Sequence, residues 1–408
     1  MAAAVRVFIG CWLFDVGCWM LDVFHFFMNT VTLLQPPRIV FGNGCAPQCA
    51  EFLAQRGVGR VLLVSSTPVL PTIGGIKDAL QKANVTIVQA PPVDREPTRA
   101  MFEEVLKAAR AEKIEGVLAI GGGSAIDVAK LVAALTHGKQ TVPEVFGINL
   151  LQGRELPLVC LPTTSGTGAE VSPNAILLDE TDELKKGVVS PHLVADAAFV
   201  DPLLTLSVPP AVTAATGLDA LTHCIEAYAN KFAHPVVDVY ALQGIKVISA
   251  NLLRAVRNGS DTEARAQLSL GSLYGGLCLG PVNTAAVHAL SYPLGGRFHI
   301  AHGVSNAVLL PNVIRFNLPA APERYAEIAL ALGVTPGNSV QQTAERGVQM
   351  LAELSRACGV PQKLSELKIP REAIPAMAKA AMQVTRLLKN NLRPVTEADA
   401  VKIYEATY

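Results

Sequence analysis

The chain has 408 residues, enough for two domains with sizeable cores, and half of those residues are apolar. Its 34 Lys and Arg balance its 34 Asp and Glu, so neither nucleic acid nor an acidic membrane surface is an expected partner. Eight cysteines are scattered without a disulfide-like or zinc-finger-like framework, and reduced thiols in a cytoplasmic setting are the simpler expectation.

The N-terminus is unusual. Residues 10–16 (GCWLFDV) and 17–23 (GCWMLDV) form a tandem duplication that holds both tryptophans of the chain. Residues 5–27 are apolar, yet Arg6, Asp15, Asp22 and His25 interrupt them. That suits neither a spanning helix of about 20 apolar residues nor a signal peptide with an unbroken apolar stretch. Met28 then precedes an ordinary start, NTVTLLQPPRIVFGNG. Residues 1–27 are therefore expected to be a non-native extension, with a weak membrane anchor as the alternative.

From about residue 30 short apolar runs alternate with amphipathic stretches. Arg60–Ser65 (RVLLVS), Thr86–Gln89 (TIVQ) and residues 116–120, 158–161 and 198–200 read as strands. Residues 77–83 and 97–113 read as helices, the second with Phe102, Val105, Leu106 and Ala109 on one face. Strands without polar alternation, separated by helices, predict a parallel sheet covered on both faces. After about residue 206 helix follows helix, over 216–228, 235–253, 262–279, 338–358, 370–388 and 396–408. The expected fold class is α/β plus all-α, with an α/β domain over 28–206 and a helical domain over 207–408. The active site is expected in the cleft between them.

Two loops at strand ends offer ligand contacts. Ile120 runs into GGGSAIDVAK (121–130), where Gly121, Gly122, Gly123 and Ser124 let backbone N–H groups approach an anion at a helix N-terminus. The run is neither G-x-G-x-x-G nor a Walker A loop, and a tight strand-to-helix turn accounts for it equally well. PTTSGTGAEV (162–171) carries the hydroxyls of Thr163, Thr164 and Thr167. Its place at the sheet's carboxyl edge favours a site over a solvated turn.

Four residues in the second half are spaced like the inner sphere of a metal. TGLDALTHCIEAY (216–228) reads as helix, and Asp219 and His223 at i, i+4 share a face. His288 and His302 lie in VHALSYPLGGRFHIAHGVSNA (287–307), where Pro293 and two glycines predict a turn between them. One carboxylate and three imidazoles suit Fe(II), and Zn(II) accepts the same donors. A lone histidine on an apolar helix is ordinarily a hydrogen-bonded structural residue, so the case rests on company. Five of the eight histidines fall between His223 and His302, and the other two of that group, His234 and His299, read as structural.

GGGSAIDVAK, PTTSGTGAEV, ATGLDALTHCIEAY and the His288–His302 stretch occur in that order. Together they resemble the iron-containing (group III) alcohol dehydrogenase family, of the dehydroquinate synthase-like superfamily, over roughly residues 34–408. The resemblance implies a Rossmann-like NAD(P)-binding domain followed by a helical metal-binding domain, and a homodimer. It implies that Asp219, His223, His288 and His302 are the metal ligands, and that Gly121, Gly122, Gly123 and Ser124 hold the pyrophosphate. Thr163, Thr164, Thr167 and Lys185 match further cofactor contacts. The implied activity is metal-dependent, NAD(P)-linked interconversion of a small alcohol with its aldehyde or ketone, the metal polarising the substrate oxygen. Maleylacetate reductase, hydroxyacid-oxoacid transhydrogenase and a dehydroquinate synthase-like lyase are the alternatives.

Two positions depart from the family pattern. Ser66 stands where an aspartate commonly binds the adenosine ribose, which relaxes the barrier to NADP. Tyr292 stands where a histidine often follows the third ligand, so a proton relay there would use the phenol, His299, water or the cofactor ribose. Arg297 is the candidate for holding a substrate carboxylate.

Overall fold

The apolar runs of the first half become strands of one parallel sheet. In the computed structural model, which describes residues 30–181 and 184–408, the strands are β1 (Ile39–Phe41), β2 (Arg60–Ser65), β3 (Thr86–Gln89), β4 (Gly116–Gly121), β5 (Gly147–Ile148), β6 (Leu158–Pro162), β7 (Asn174–Asp179), β8 (Leu184–Val189) and β9 (Ala197–Val200). Six of them run parallel in the order β1-β9-β6-β4-β2-β3. The small second sheet, β5-β8-β7, pairs β8 parallel with β5 and antiparallel with β7. The duplication and the expected extension over residues 1–27 lie outside the described residues. The chain's contacts divide it after Thr30, and every element named here belongs to the unit Val31–Tyr408.

Helices α1 (Gln48–Gln55), α2 (Gly74–Lys82), α3 (Arg99–Ala111) and α4 (Gly123–Leu135) cover the large sheet, and α5 (Val142–Val145) is a single turn. The strand pattern explains the double cover. Val61 and Leu63 of β2, with Leu118 and Ile120 of β4, pack into the core shared with α1 and α2. Leu62 and Val64, with Val117 and Ala119, point the other way into the core shared with α3 and α4. With both faces buried, neither strand has a place for polar alternation.

From Pro210 onward every described element is helical: α6 (Pro210–Tyr228), α7 (Pro235–Arg257), α8 (Thr262–Leu279), α9 (Ala286–Phe298), α10 (His302–Asn317), α11 (Pro322–Ala331), α12 (Val340–Ala357), α13 (Ile374–Ala381), α14 (Thr385–Leu388) and α15 (Glu397–Thr407), with short 3-10 turns between some of them. Helix α7 is long and apolar enough to cross a membrane, with mean hydropathy 1.3, but it packs along α6 and α8. The one helix expected over 370–388 is instead broken into a 3-10 turn, α13 and α14. The break turns Leu387 onto Ala289 and Tyr292 of α9, a packing gain that a straight helix would not have.

The turn expected at Pro293 is also elsewhere. Helix α9 runs through Pro293 and ends at His299, which takes a left-handed backbone with φ of 55°. Residues Ala286 to Gly296 are all buried, and that packing outweighs the roughly 3 kcal/mol a proline costs inside a helix. The reversal therefore comes just before His302, which opens α10. Gly303 follows, and a Cβ there would lie 2.1 Å from the Ala215 carbonyl oxygen of α6. Only glycine lets α10 meet α6 this closely. Gly168, at φ of 60°, likewise brings the Thr163–Thr167 loop against Gly276 of α8, where a Cβ would stand 2.3 Å from the Gly276 Cα.

Candidate metal centre and cofactor cleft

Helix α6 presents Asp219 and His223 one turn apart, both buried. Helix α9 brings His288 beside them, and the first residue of α10 brings His302. The Nε2 atoms of His288 and His302 each lie 3.6 Å from Asp219 Oδ1, and His223 Nε2 lies 3.8 Å from it. The His223 and His288 rings stack with centroids 4.8 Å apart, while His302 meets His288 edge-on at 5.2 Å. All four residues predicted from spacing therefore converge on one point.

Electrostatics inside the cluster are strongly coupled. Burial pushes the Asp219 carboxyl upward, but the imidazoles of His223 and His302 and the hydrogen bond with His288 outweigh it and hold the carboxyl well below the usual range. Burial holds His302 well below the usual imidazole range. His288 goes the other way, to about 9, because Glu226 and Asp219 overcome its burial. Three imidazole nitrogens aimed at one buried carboxylate oxygen form an N/O donor set that fits a divalent cation of the Fe(II) or Zn(II) type.

A second ring of partners surrounds the donors. Glu226, seven residues after Asp219 on the same face of α6, meets His288 Nδ1 at 2.5 Å through Oε2. Its Oε1 accepts the Val287 N–H at 2.6 Å. Asn306, one turn after His302, donates to Asp219 Oδ1 at 2.7 Å and lies 3.1 Å from His288 Nε2. The sequence reading missed both. An acid at i+7 from Asp219 was the available signal for Glu226.

The cluster opens onto a cleft whose walls include Gly123, Ser124, Thr167, Lys185, Tyr292 and Arg386. Gly121 closes β4, Gly122 caps α4 in an extended conformation, and Gly123 begins the helix, so the N-terminus of α4 stands at the cleft wall that Gly123 and Ser124 line. Thr163 N–H donates to the Gly121 carbonyl, tying the second loop to the first. Thr163 and Thr164 lie outside the cleft wall, and Ser66 follows the C-terminal end of β2, an interior strand between β4 and β3. Beside it, Thr67 donates from N and Oγ1 to Asp94. Buried Lys130 on α4 donates to the Ser172 and Asn174 carbonyls and so fixes α4 against the small sheet.

Lys185 on β8 pairs with Glu96 and stands 5.7 Å from the Tyr292 ring. Tyr292 is buried one turn after His288, its ring 6.3 Å from that of His302. Arg297 is exposed and stacks on its neighbour Phe298, so it does not serve the cleft; Arg386, from α14, is the arginine there. His234 caps α7 by accepting the Val236 N–H, and His299 ends α9, as structural residues do. The six described cysteines are buried and unpaired.

Residues 36–202 match the family described as iron-containing alcohol dehydrogenase, and residues 213–408 match the Fe-containing alcohol dehydrogenase family, C-terminal. The chain belongs to the iron-containing alcohol dehydrogenase family. Long-chain-alcohol dehydrogenase 1 of Geobacillus thermodenitrificans is 39% identical over 93% of this chain and 98% of its own length. The 1,3-propanediol dehydrogenase of Citrobacter freundii is 35% identical over 90% and 96%. Among solved structures, the alcohol dehydrogenase from Oenococcus oeni superposes with a TM-score of 0.90 at 30% identity, covering 93% of this chain and all of that one. Iron-containing alcohol dehydrogenases are oxidoreductases that use a metal and NAD(H), and the buried donor cluster beside the glycine-rich turn is consistent with both.

Proposed function

We propose that Asp219, His223, His288 and His302 hold one divalent metal, Fe(II) or alternatively Zn(II), and that the adjoining cleft binds NAD or NADP. On this reading the α/β lobe ends near residue 206 and the helical lobe supplies the donors. The observation that carries it is the convergence of three imidazole Nε2 atoms within 3.8 Å of Asp219 Oδ1. When bound, the metal acts as a Lewis acid on a substrate oxygen and the nicotinamide accepts or returns the hydride.

The chain's own residues orient and exclude. Gly122, Gly123 and Ser124 at the α4 N-terminus favour the pyrophosphate, and Thr167 and Lys185 line the path toward the donors. Buried Tyr292 packs its ring beside His302, and its hydroxyl meets Arg386 in the cleft wall. Long-chain alcohols and propanediol are what the named relatives act on, and a small alcohol or aldehyde is the class we assign here.

Stripping the protein with a chelator is expected to abolish alcohol-dependent absorbance at 340 nm, and Fe(II) or Zn(II) to restore it. Unchanged turnover in verifiably metal-free protein refutes the reading. Cofactor choice gives a second check. Ser66 puts no carboxylate at the end of β2, and exposed Asp94 nearby is already engaged by Thr67. NADPH is therefore expected to serve beside NADH, with kcat/KM ratios within about a thousandfold. A larger preference for NADH counts against it.

A further inference from the structure

We infer that Arg386 makes this cleft selective for substrates that carry a carboxylate at the end remote from the reacting carbon. The inference rests on the dehydrogenase reading and names the substrate class of the same site. Helix α14 is a single turn, held by Leu387 packed on Ala289 and Tyr292. That packing sets the Arg386 guanidinium in the wall of the cleft that also contains His288 and His302.

Among the described residues the guanidinium has no counter-charge. Its hydrogen bond goes to the Tyr292 hydroxyl at 3.3 Å, a neutral acceptor, and among the described residues no carboxylate forms an ion pair with it. The two acids in the same wall are taken: Glu96 by Lys185, and buried Asp127 by the Ile176 N–H with Lys130 beside it. Space for the arginine is specific too. A Cβ at Gly187 on β8 would lie 3.2 Å from Arg386 Nη2, so a side chain there would crowd the head.

A half-buried guanidinium with five donors and one neutral acceptor is a carboxylate site in waiting. Tyr292 spans the interval between the two ends of the site, its ring beside His302 and its hydroxyl on Arg386. A substrate reaching from the donors to Arg386 thus needs only a short chain, as in an ω-hydroxy acid and its semialdehyde. The cofactor pyrophosphate has its own N–H donors at the α4 N-terminus and does not require this arginine.

The test is reduction of two aldehydes by the metal-loaded enzyme with NADH: succinic semialdehyde, and butanal as its uncharged four-carbon counterpart. The wild type is expected to favour the semialdehyde by at least about tenfold in kcat/KM. Arg386→Leu is expected to lose about a hundredfold on the semialdehyde and under about threefold on butanal, and Arg386→Lys to recover part of the loss. Butyrate, but not butyramide, should inhibit butanal reduction competitively in the wild type alone, a readout that stands even where the leucine variant folds poorly. Equal wild-type efficiency on both aldehydes, equal losses on both in Arg386→Leu, or a raised KM for NADH alone overturns the inference. Failure of the loaded wild type to reduce either aldehyde overturns the dehydrogenase reading instead.

Discussion

Replacing His302 with alanine is expected to lower kcat/KM by about three to four orders of magnitude while leaving the fold in place. His302 opens α10, its side chain is 29% exposed, and its Nδ1 has no partner, so truncation orphans no other buried group. What it removes is one of three nitrogens facing Asp219 Oδ1. Lewis-acid stabilisation worth several kcal/mol, roughly 4–5, corresponds to that loss of rate. Metal content measured by mass spectrometry should fall with activity, and the melting temperature of the metal-free protein should match the metal-free wild type. Wild-type turnover by a metal-free His302→Ala variant removes the donor assignment.

Glu226→Gln is the sharper test of how the donors are held. The carboxylate receives two donors, the Val287 N–H and His288 Nδ1, each on its own oxygen. An amide of the same shape has only one accepting oxygen. If that oxygen keeps Val287, the amide N–H₂ faces His288 and drives its proton to Nε2, where it blocks metal binding. If the amide turns, Val287 N–H is left facing a donor at a cost of about 1–3 kcal/mol. Metal affinity is expected to drop about 10–100-fold, read by competition with a chromophoric chelator. Glu226→Asp should not rescue it, because the shorter arm cannot reach both donors. Unchanged affinity in the Gln variant would mean that Glu226 is a structural acid only.

Much of the fold was legible because burial on both faces leaves a plain trace in sequence. RVLLVS and GVLAIG have no polar alternation, and both became central strands. The hairpin β7-β8 was not legible: Lys185 and Lys186 break the apolar run, Lys186 pairs with Asp179 on the facing strand, and Lys185 pairs with Glu96, a partner that no local window contains. Pro293 misled for a related reason, since local chemistry predicts a turn and the surrounding packing overrides it.

The site divides the same way. Asp219, His223, His288 and His302 were found because their spacing and motif order are local signals. Glu226 shared the helix face of Asp219 and could be read only by asking what holds His288. Arg386 and Asn306 carry no signature at all. Each acquires meaning from a distant neighbour, Tyr292 or Asp219, and only the fold supplies that neighbour.

The contact at Gly303 bears on how such an enzyme changes over time. With no room for even a methyl group between α10 and the Ala215 carbonyl, the mount of His302 admits almost no drift. At Gly187 an added Cβ would meet the tips of the Ile176 and Arg386 side chains, which can shift where the Ala215 backbone cannot, and residue 386 sits on a single helical turn. Divergence in what is accepted can therefore accumulate at positions 187 and 386 while the hydride chemistry stays untouched.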